Sequence, residues 1–413
     1  MSRSVKRVVI QTQQGLRALL RDYFVDLDAA ASDPTRRVAW CTSVGPCEIL
    51  TAMGFDVFFP ENHGAMLGAR KVSHKHIPLA VAAGYCAESC SYMTSDIGAS
   101  IAGYSPLQES YGIAGTPTPD LLVYSTNQCR EVQDWFSFFG RKHEAAVLGV
   151  CPPTHLGRVG ADDVAFVRKQ ILNMVSQIED SFKLQMDWDR LREVVALSSR
   201  ASTLWLEVLE TARTRPAPFS FFDGLIHMAP VIVMRGSQVA VDYYETLLVE
   251  MKQRVADGVG AVPAEKWRLY WEGMPIWPKL REVSEKFFDL NAVIAASTYC
   301  NSWAFEPFDG GDPLEWMAKT SIEIFINRDE NTKQAFLVDT FQKFGIEGAI
   351  FHNARTCPNN TNSRFGMAQR LRVELGMPIL VLDGDLSDVR FFSTAQSMTN
   401  IEAFIEQLEG RQR

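Results

Sequence analysis

The sequence contains no long apolar run, since no stretch of its 413 residues reaches the ~18 consecutive apolar positions that span a bilayer. Its first residues, MSRSVKR, are basic, but they lead into no uninterrupted apolar segment and no small-residue cleavage site of a secretory signal peptide. We therefore expect a cytoplasmic protein without a membrane partner.

The chain also lacks a basic excess and a high density of cysteine. Lys and Arg number 41 against 49 Asp and Glu, which argues against a nucleic-acid partner because such binding depends on clustered basic side chains. Eight cysteines scattered over 413 residues do not form the disulfide framework of a small secreted domain. Reduced thiols, some of them bound to metal, are the better interpretation.

Two nucleotide-binding motifs are missing as well. The sequence has no G-x-x-x-x-G-K-[ST] phosphate loop and no G-x-G-x-x-G fingerprint. A non-enzymatic α/β module that binds a nucleotide is therefore a weak alternative, and any ATP that the system uses is expected to bind another protein.

What the sequence does contain is an alternation of short apolar runs with helical patterns. Apolar runs at 37–41, 56–60, 121–124 and 145–150 predict strands, and the same rhythm returns at 345–385. Strands that alternate with helices of this length predict parallel sheets with crossover helices. The fold class is therefore α/β.

The length exceeds what one hydrophobic core usually supports, so more than one lobe is expected. We predict an N-terminal α/β lobe at 1–160 and a C-terminal α/β lobe at 221–413. Residues 161–220 are charged and periodic without strand-like runs, which predicts a helical linker, and TRPAPFS at 214–220 is interpreted as its hinge.

The cysteines can be placed on this predicted fold. Ligands of an open parallel sheet bind beyond the carboxyl ends of its strands, where loops converge. Cys129 follows the apolar run DLLVY, Cys357 follows GAIF, and Cys90 lies in a small-residue segment that suits a loop or a helix N-terminus. Three thiolates on converging loops would hold a [4Fe–4S] cluster and leave one iron without a protein ligand.

Each cysteine also has a simpler interpretation, because free cysteine is among the most buried residue types. On that basis Cys41, Cys47, Cys151 and Cys300 are interpreted as structural. Whether Cys300 or Cys86 also binds iron stays open.

Four segments carry a resemblance to a known family: WCTSVGPCEILTAMGFDVFFPENHGA, SCSYMTSDIGA, STNQCREVQDWF and the C-terminal stretch that starts RTCPNNTNSRFGMAQRLRVELG. In this order they resemble the cluster-bearing subunits of (R)-2-hydroxyacyl-CoA dehydratases and ATP-dependent benzoyl-CoA reductases. The resemblance covers most of the chain and implies two flavodoxin-like, Rossmann-like lobes.

The resemblance also implies a cofactor and partners. Cys90, Cys129 and Cys357 match the three ligands of a [4Fe–4S] cluster in the substrate-binding type of subunit, whereas partner-type subunits use a fourth cysteine. The implied partners are a homologous second cluster-bearing subunit, a separate ATP-hydrolysing iron–sulfur activator and an acyl-CoA substrate.

Two further residues carry over from the dehydratase pattern, Ser43 of WCTSVGP and Glu61 of FFPENH. A carboxyl group beside a desolvated thioester would move a proton, and a hydroxyl would orient the carbonyl oxygen. The alternative is that Ser43 caps the next helix and Glu61 is a solvated turn residue. His63 and His352 are additional proton-donor candidates, or hydrogen-bonded structural histidines.

The expected function is reduction of an aryl-CoA ring with low-potential electrons, as in benzoyl-CoA reductase. A close alternative is an (R)-2-hydroxyacyl-CoA dehydratase that works through a ketyl radical. A third is a reductase of small molecules with a fused double cluster, which would need additional ligands such as Cys41, Cys47 or Cys86.

Overall fold

The computed structural model describes residues 8–411 and contains two four-stranded sheets whose strands are all parallel. The strands of the first sheet are β1 Arg37–Cys41, β2 Phe55–Phe58, β3 Leu121–Ser125 and β4 Ala146–Val150. Those of the second are β5 Trp267–Glu272, β6 Ala292–Ser297, β7 Gly348–Ala354 and β8 Ile379–Gly384. The predicted α/β class with two parallel-sheet lobes is confirmed.

Helices connect and cover these strands. In the first half they are α1 Gln13–Ser32, α2 Cys47–Ala52, α3 Pro60–Ala69, α4 Ser73–Ala82, α5 Ser91–Ala102, α6 Pro106–Tyr111, α7 Glu131–His143, α8 Ala161–Phe182 and α9 Trp188–Glu210. In the second half they are α10 Phe221–His227, α11 Ala229–Val233, α12 Gln238–Ala256, α13 Leu280–Asp289, α14 Thr298–Asn301, α15 Pro313–Glu323, α16 Glu330–Phe344, α17 Met367–Leu375 and α18 Thr394–Arg411.

The two sheets have the same topology. Their strand orders are β2-β1-β3-β4 and β6-β5-β7-β8, so in each sheet the chain first moves outward on one side and then crosses to the other. The order reverses between β1 and β3 in the first sheet and between β5 and β7 in the second. Loops diverge at these two points and leave a crevice in which ligands of flavodoxin-like folds bind.

The apolar runs form strands because helices cover both faces of a parallel sheet. Every residue of the central strand β5 is buried, whereas the edge strand β4 is buried only at Val150. At the end of α2, Gly54 takes a φ of +81°, a conformation that favours glycine, and the chain turns there into β2.

The predicted helical linker consists of two long helices, α8 and α9. Helix α8 packs on β4 and on α15, and α9 packs on α2 and on α12, so both touch elements of both halves. One core cluster accordingly includes Ile49 and Val123 from the first half and Trp271 and Ile294 from the second. The boundaries at 160 and 220 stay predictions.

Among residues 8–411, none of the helices combines the length and the apolar character needed to cross a membrane.

Candidate functional site

The candidate site is built from the carboxyl ends of both sheets. Ser43 follows β1, Glu61 follows β2 in the first turn of α3, and Cys129 follows β3. In the second sheet, Cys357 follows β7 and Asp385 follows β8.

Each of the three predicted cluster ligands lies where a helix begins. Cys90 is the residue immediately before α5, and the backbone N–H groups of Tyr92 and Met93 hydrogen bond to it. Cys129 receives such a bond from Val132 in the first turn of α7. Cys357 receives one from Asn360, in the 3₁₀ turn that follows β7. Backbone N–H groups in these positions stabilise thiolates.

These three cysteines are half-buried, which distinguishes them from the rest. The others are either fully buried, namely Cys41, Cys47 and Cys300, or exposed, namely Cys86 and Cys151. A half-buried thiol can bind a cofactor while the protein shields it from solvent.

The three thiols also influence one another. Burial raises the pKa of Cys90, and the neighbouring Cys357 raises it further. Burial, Cys90 and Cys357 act in the same direction on the pKa of Cys129, and burial raises the pKa of Cys357 to about 12. At neutral pH these thiols stay protonated without a metal, and a bound metal would displace the protons.

Hydrogen bonds tie the three cysteine loops together. The backbone N–H of Ser91, next to Cys90, donates to Oγ1 of Thr356, next to Cys357, at 3.0 Å. Nδ2 of Asn359 donates to the backbone oxygen of Gln128, next to Cys129, at 3.4 Å. The ligand loops of the two lobes are therefore in direct contact.

Asp385 reinforces the contact between two of these loops. Its carboxylate is fully buried and accepts from the hydroxyl of Ser91 at 2.5 Å, and from the backbone N–H and the hydroxyl of Thr356 at 2.9 and 2.6 Å. It also accepts from the backbone N–H groups of Ser387 and Asp388. One carboxylate directly after β8 thus joins the loops of Cys90 and Cys357.

The fit of this site to a metal group follows from its donor set. Within residues 8–411, no three His, Cys, Asp or Glu side chains form a group suited to a single metal ion. A cubane cluster holds its cysteine ligands farther apart than one ion does, and thiolates are its usual ligands. Three half-buried thiols on separate, hydrogen-bonded loops fit a cluster better than a mononuclear metal.

Ser43 and Glu61 lie against each other in the structure. Both are buried, and Oε1 of Glu61 accepts from the backbone N–H of Ser43 at 3.0 Å and from its hydroxyl at 3.3 Å. Pro46, not Ser43, precedes α2, and no side chain caps that helix. Ser43 therefore does not cap α2, and Glu61 is not a solvated turn residue.

The other oxygen of Glu61 has no hydrogen-bond partner among the described residues, although it is buried. Nε2 of Gln128 donates to Oε1, at 2.7 Å, and adds a third bond to that atom. Burial raises the pKa of Glu61 despite these bonds, which favours a protonated carboxyl. Because Oε1 is occupied by donors, a proton taken up by this carboxyl would lie on Oε2.

Arg235 holds the loop that carries Ser43. This buried side chain donates to the backbone oxygens of Ser43 at 3.0 Å and of Gly45 at 2.5 Å, and its Nε lies 3.1 Å from Glu48. Its Nε also contacts Sγ of Cys47 at 3.0 Å. The guanidinium thus connects a loop between α11 and α12 with the end of β1.

The two candidate histidines differ in what their rings contact. Nδ1 of His63 pairs with Asp96 at 2.6 Å and Nε2 with Ser105 at 2.9 Å, so both nitrogens are used inside the first lobe. Nδ1 of His352 pairs with the backbone oxygen of Met274 at 2.6 Å, while its buried Nε2 has no partner among the described residues. Burial lowers the pKa of His352 to about 4, so its ring is neutral. Their roles as proton donors stay predictions.

A cavity of about 600 Å³ lies between the two halves beside Cys129. Its wall includes Gln128 and Cys129 from the loop after β3, Asn359 from the loop after β7, and Lys333 from α16. This volume is typical of small-molecule sites, which span about 300–1,000 Å³. The cavity gives a ligand access to the cysteine loops.

Three residues that position this site were not among the sequence-based candidates. Gln128 and Asp385 carry a usable signal, since each lies among the residues that directly follow an apolar run. Arg235 carries none, because it lies between two helices and meets Ser43 only in the folded chain.

These observations define the class of the protein. It is a two-lobed α/β protein that brings thiols and a buried carboxyl group together at the carboxyl ends of two flavodoxin-like sheets. The sequence profile of the 2-hydroxyglutaryl-CoA dehydratase D-component family matches residues 42–408, and the chain belongs to this family.

Curated relatives include enzymes with two kinds of activity. The chain is 27% identical over 382 residues to the alpha subunit of lactoyl-CoA dehydratase from Anaerotignum propionicum, covering 90% of each protein. It is 28% identical over 378 residues to the (R)-phenyllactyl-CoA dehydratase alpha subunit of Clostridium sporogenes, covering 91% of this chain and 90% of the relative. It is 28% identical over 374 residues to one of the subunits of benzoyl-CoA reductase from Thauera aromatica, covering 86% and 85%. The confirmed resemblance is thus to a family that contains both dehydratase and reductase subunits.

Proposed function

We propose that this chain is the substrate-binding [4Fe–4S] subunit of an ATP-driven aryl-CoA reductase of the benzoyl-CoA type. The observation that carries the proposal is the set of three half-buried cysteines, Cys90, Cys129 and Cys357, on hydrogen-bonded loops beside the Ser43–Glu61 pair. When bound, the cluster would supply single electrons at low potential, which no side chain provides.

The three cysteines would hold the cluster and leave one of its irons without a ligand from this chain. A fourth ligand from Cys300 is not supported by its surroundings. Its thiol is fully buried against the backbone oxygen of Phe221, at 3.9 Å, whereas the three candidate ligands are half-buried. The number of ligands therefore favours the substrate-binding type of subunit.

The cavity supports an acyl-CoA substrate. A thioester that enters from the side of Lys333 reaches Cys129 and Gln128 along the same wall. Lys333 is 4% exposed, and its ammonium pairs with Oδ1 of Asn362 at 3.3 Å and lies 5.8 Å from the ring centroid of Phe325. A buried cation on the cavity wall suits the negative charges of CoA.

The burial and raised pKa of Glu61 support a role in reduction. Every hydrogen atom added to an aromatic ring requires one electron and one proton, so a reductase needs an acid that delivers protons. Glu61 has a raised pKa and a buried Oε2 without a described partner, which suits this role. Ser43 would orient the thioester beside it.

Dehydration of an (R)-2-hydroxyacyl-CoA is the second candidate. It is favoured by the names of two relatives, the lactoyl-CoA and phenyllactyl-CoA dehydratase subunits, whose identities to this chain match that of the reductase subunit. The same Ser43–Glu61 pair would then orient the thioester and move a proton at the substrate.

The fused double cluster has less support. Its additional ligands would come from residues such as Cys41, Cys47 or Cys86, and of these Cys41 and Cys47 are fully buried, with Cys47 already in contact with Arg235.

All three of these relatives are named as single subunits of larger enzymes, which supports a complex of several subunits. We propose a homologous second cluster-bearing subunit as the direct partner and a separate ATP-hydrolysing iron–sulfur protein as the electron donor.

Anaerobic co-purification with the neighbouring subunit tests the function. The complex would be assayed for iron and incubated with activator, ATP and either benzoyl-CoA or an (R)-2-hydroxyacyl-CoA. Reduction of benzoyl-CoA with about four irons per chain is the expected result. Dehydration without net consumption of electrons would show the dehydratase instead, and about eight irons per chain would show a double cluster.

A further inference from the structure

A histidine that no part of the proposed function uses lies on the wall of the cavity beside Cys129. His155 belongs to the loop that follows β4, and it lines the cavity of about 600 Å³ together with Gln128 and Cys129. It is exposed to solvent, whereas His63 and His352 are buried and lie outside this wall. His155 is thus the histidine that meets both a ligand in the cavity and the surrounding water.

The backbone of His155 takes a conformation that a residue with a side chain rarely adopts. Its φ is +60°, in the left-handed region. Glu144 and Lys183 share this conformation, but they directly follow α7 and α8, and helices commonly end in this way. His155 follows no helix, so its conformation has to be held by its surroundings. Residues held in this way cluster at functional sites.

Hydrogen bonds to the loop before α16 hold the His155 loop in place. The backbone N–H of His155 donates to the backbone oxygen of Asn327 at 2.9 Å. Leu156 forms a parallel bridge with Arg328, and its backbone oxygen accepts from the backbone N–H of Asp329 at 3.3 Å. The same oxygen accepts from Nε of Arg328 at 3.0 Å. The second half of the chain thus fixes His155 at the edge of the cavity.

The other charged groups on this wall already have partners. The guanidinium of Arg130 pairs with Asp134 at 3.1 Å, and the carboxylate of Glu330 pairs with Arg370 at 2.6 Å. The ammonium of Lys333 is buried beside an amide oxygen. The cysteine of the wall is a candidate cluster ligand. The histidine is therefore the group of this wall that is free to give a proton to a ligand.

The proposed reduction leaves one proton without a source. Two electrons added to an aromatic ring require two protons, one for each new C–H bond. Glu61 carries at most one proton, and it is reached from the cavity through Gln128, whose amide donates to its Oε1 at 2.7 Å. A histidine on the cavity wall can carry the other proton near neutral pH, and its exposed ring recovers a proton directly from water.

We propose that His155 is a catalytic residue that donates the second proton to the ring of the bound aryl thioester. This proposal rests on the proposed function. After one electron and the proton of Glu61 have reached the ring, the second electron leaves an electron pair on a ring carbon. The N–H bond of the His155 imidazolium breaks, the electron pair forms the new C–H bond, and the neutral imidazole takes a proton from water. Two electrons from the low-potential donor and two protons thus convert the aromatic ring into a cyclohexadiene.

The test uses His155→Asn and His155→Gly in the complete complex. Asparagine and glycine tolerate the left-handed backbone but cannot give a proton. We therefore expect kcat to fall by about 10²-fold or more, with a much smaller change in KM and an unchanged iron content. Added imidazole should restore part of kcat in His155→Gly, because it supplies the missing acid, and should leave the wild type and Glu61→Gln unaffected. Lys183→Asn, which changes a left-handed residue at the exposed end of α8, is the matched control and should leave kcat unchanged.

Restoration by imidazole separates proton transfer from a structural role of His155. A fall in kcat that imidazole does not restore would overturn the inference, as would an unchanged kcat in both variants. A raised KM with an unchanged kcat would also overturn it, since His155 would then only bind the substrate. If the wild-type complex reduces no aryl-CoA, the proposed function fails together with this inference, whereas reduction that is insensitive to both substitutions refutes only this inference.

Discussion

Gln128, the residue immediately before Cys129, donates a hydrogen bond of 2.7 Å to Oε1 of Glu61. One loop therefore carries a candidate cluster ligand and the group that orients the candidate acid. The carboxyl is held with Oε1 saturated by donors and Oε2 left without a described partner. A change of Cys129 is expected to affect the binding of iron, whereas a change of Gln128 is expected to affect the transfer of protons.

Glu61→Gln tests the proton-transfer role. The amide retains the shape of the side chain but cannot release a proton near neutral pH. We therefore predict a loss of turnover of about 10²–10⁴-fold. The cysteines are untouched, so iron per chain and the visible spectrum should match the wild type. Glu109→Gln, on the exposed side of α6, serves as the control. Full turnover in Glu61→Gln would rule out the residue as the acid.

Asp385→Asn tests the link between two cysteine loops. All five groups that surround this carboxylate are donors, so an amide would turn its NH₂ toward at least one of them. We predict a loss of stability of roughly 2–3 kcal/mol and a lower iron content, because the loops of Cys90 and Cys357 lose their shared acceptor. Urea unfolding and iron analysis measure the two effects. Asp383→Asn, on the exposed side of β8, should change neither, and a full iron content in Asp385→Asn would contradict the prediction.

The placement of Cys129 and Cys357 follows from local sequence, because an apolar run and a polar turn mark the carboxyl end of a parallel strand. Cys90 needs the family resemblance in addition, since the segment before it forms a helix, α4, and no strand. The shared strand order of the two sheets was not predictable, because crossover connections leave no signal at a fixed spacing.

Contacts between distant parts of the chain explain why the other residues of the site could not be predicted from the sequence. Arg235 meets Ser43 across 192 residues, and Asp385 meets Ser91 across 294. Apolar periodicity describes which face of an element is buried, but it does not say which polar group will complete a buried hydrogen bond. The environment of Ser43 and Glu61 therefore became visible only in the folded chain.

Arg235→Met tests whether the Ser43 loop needs its guanidinium. Removal leaves Glu48 buried without its cation, so we predict a loss of stability of about 3–5 kcal/mol. In the double variant Arg235→Met/Glu48→Met the unpaired charge is gone, and stability should largely return. Turnover should not return, because the guanidinium no longer holds the backbone oxygens of Ser43 and Gly45, and Ser43 keeps only the indole N–H of Trp303 as a donor. Equal recovery of stability and turnover would show that Arg235 matters only for folding.

Glu272 should make the stability of the second lobe depend on pH. Its side chain is buried and accepts from Asn362 at 2.5 Å, and burial raises its pKa from 4.5 to about 7. The folded chain therefore holds a proton that the unfolded chain releases, so the contribution of this group is fully present below pH 4.5. It is lost as the pH rises through about 7 and is constant above that.

The expected size is about 3 kcal/mol between these limits, since one pKa unit corresponds to about 1.4 kcal/mol. Urea unfolding of the iron-free chain at several pH values measures it without interference from acid loss of iron. Glu272→Gln, which stays neutral, should abolish this part of the pH dependence, while Glu374→Gln on the exposed face of α17 should retain it. Parallel pH profiles for wild type and Glu272→Gln would mean that Glu272 is ionised in the folded chain. In that case the nearby cation Lys333, which lowers the pKa of Glu272, would offset the effect of burial.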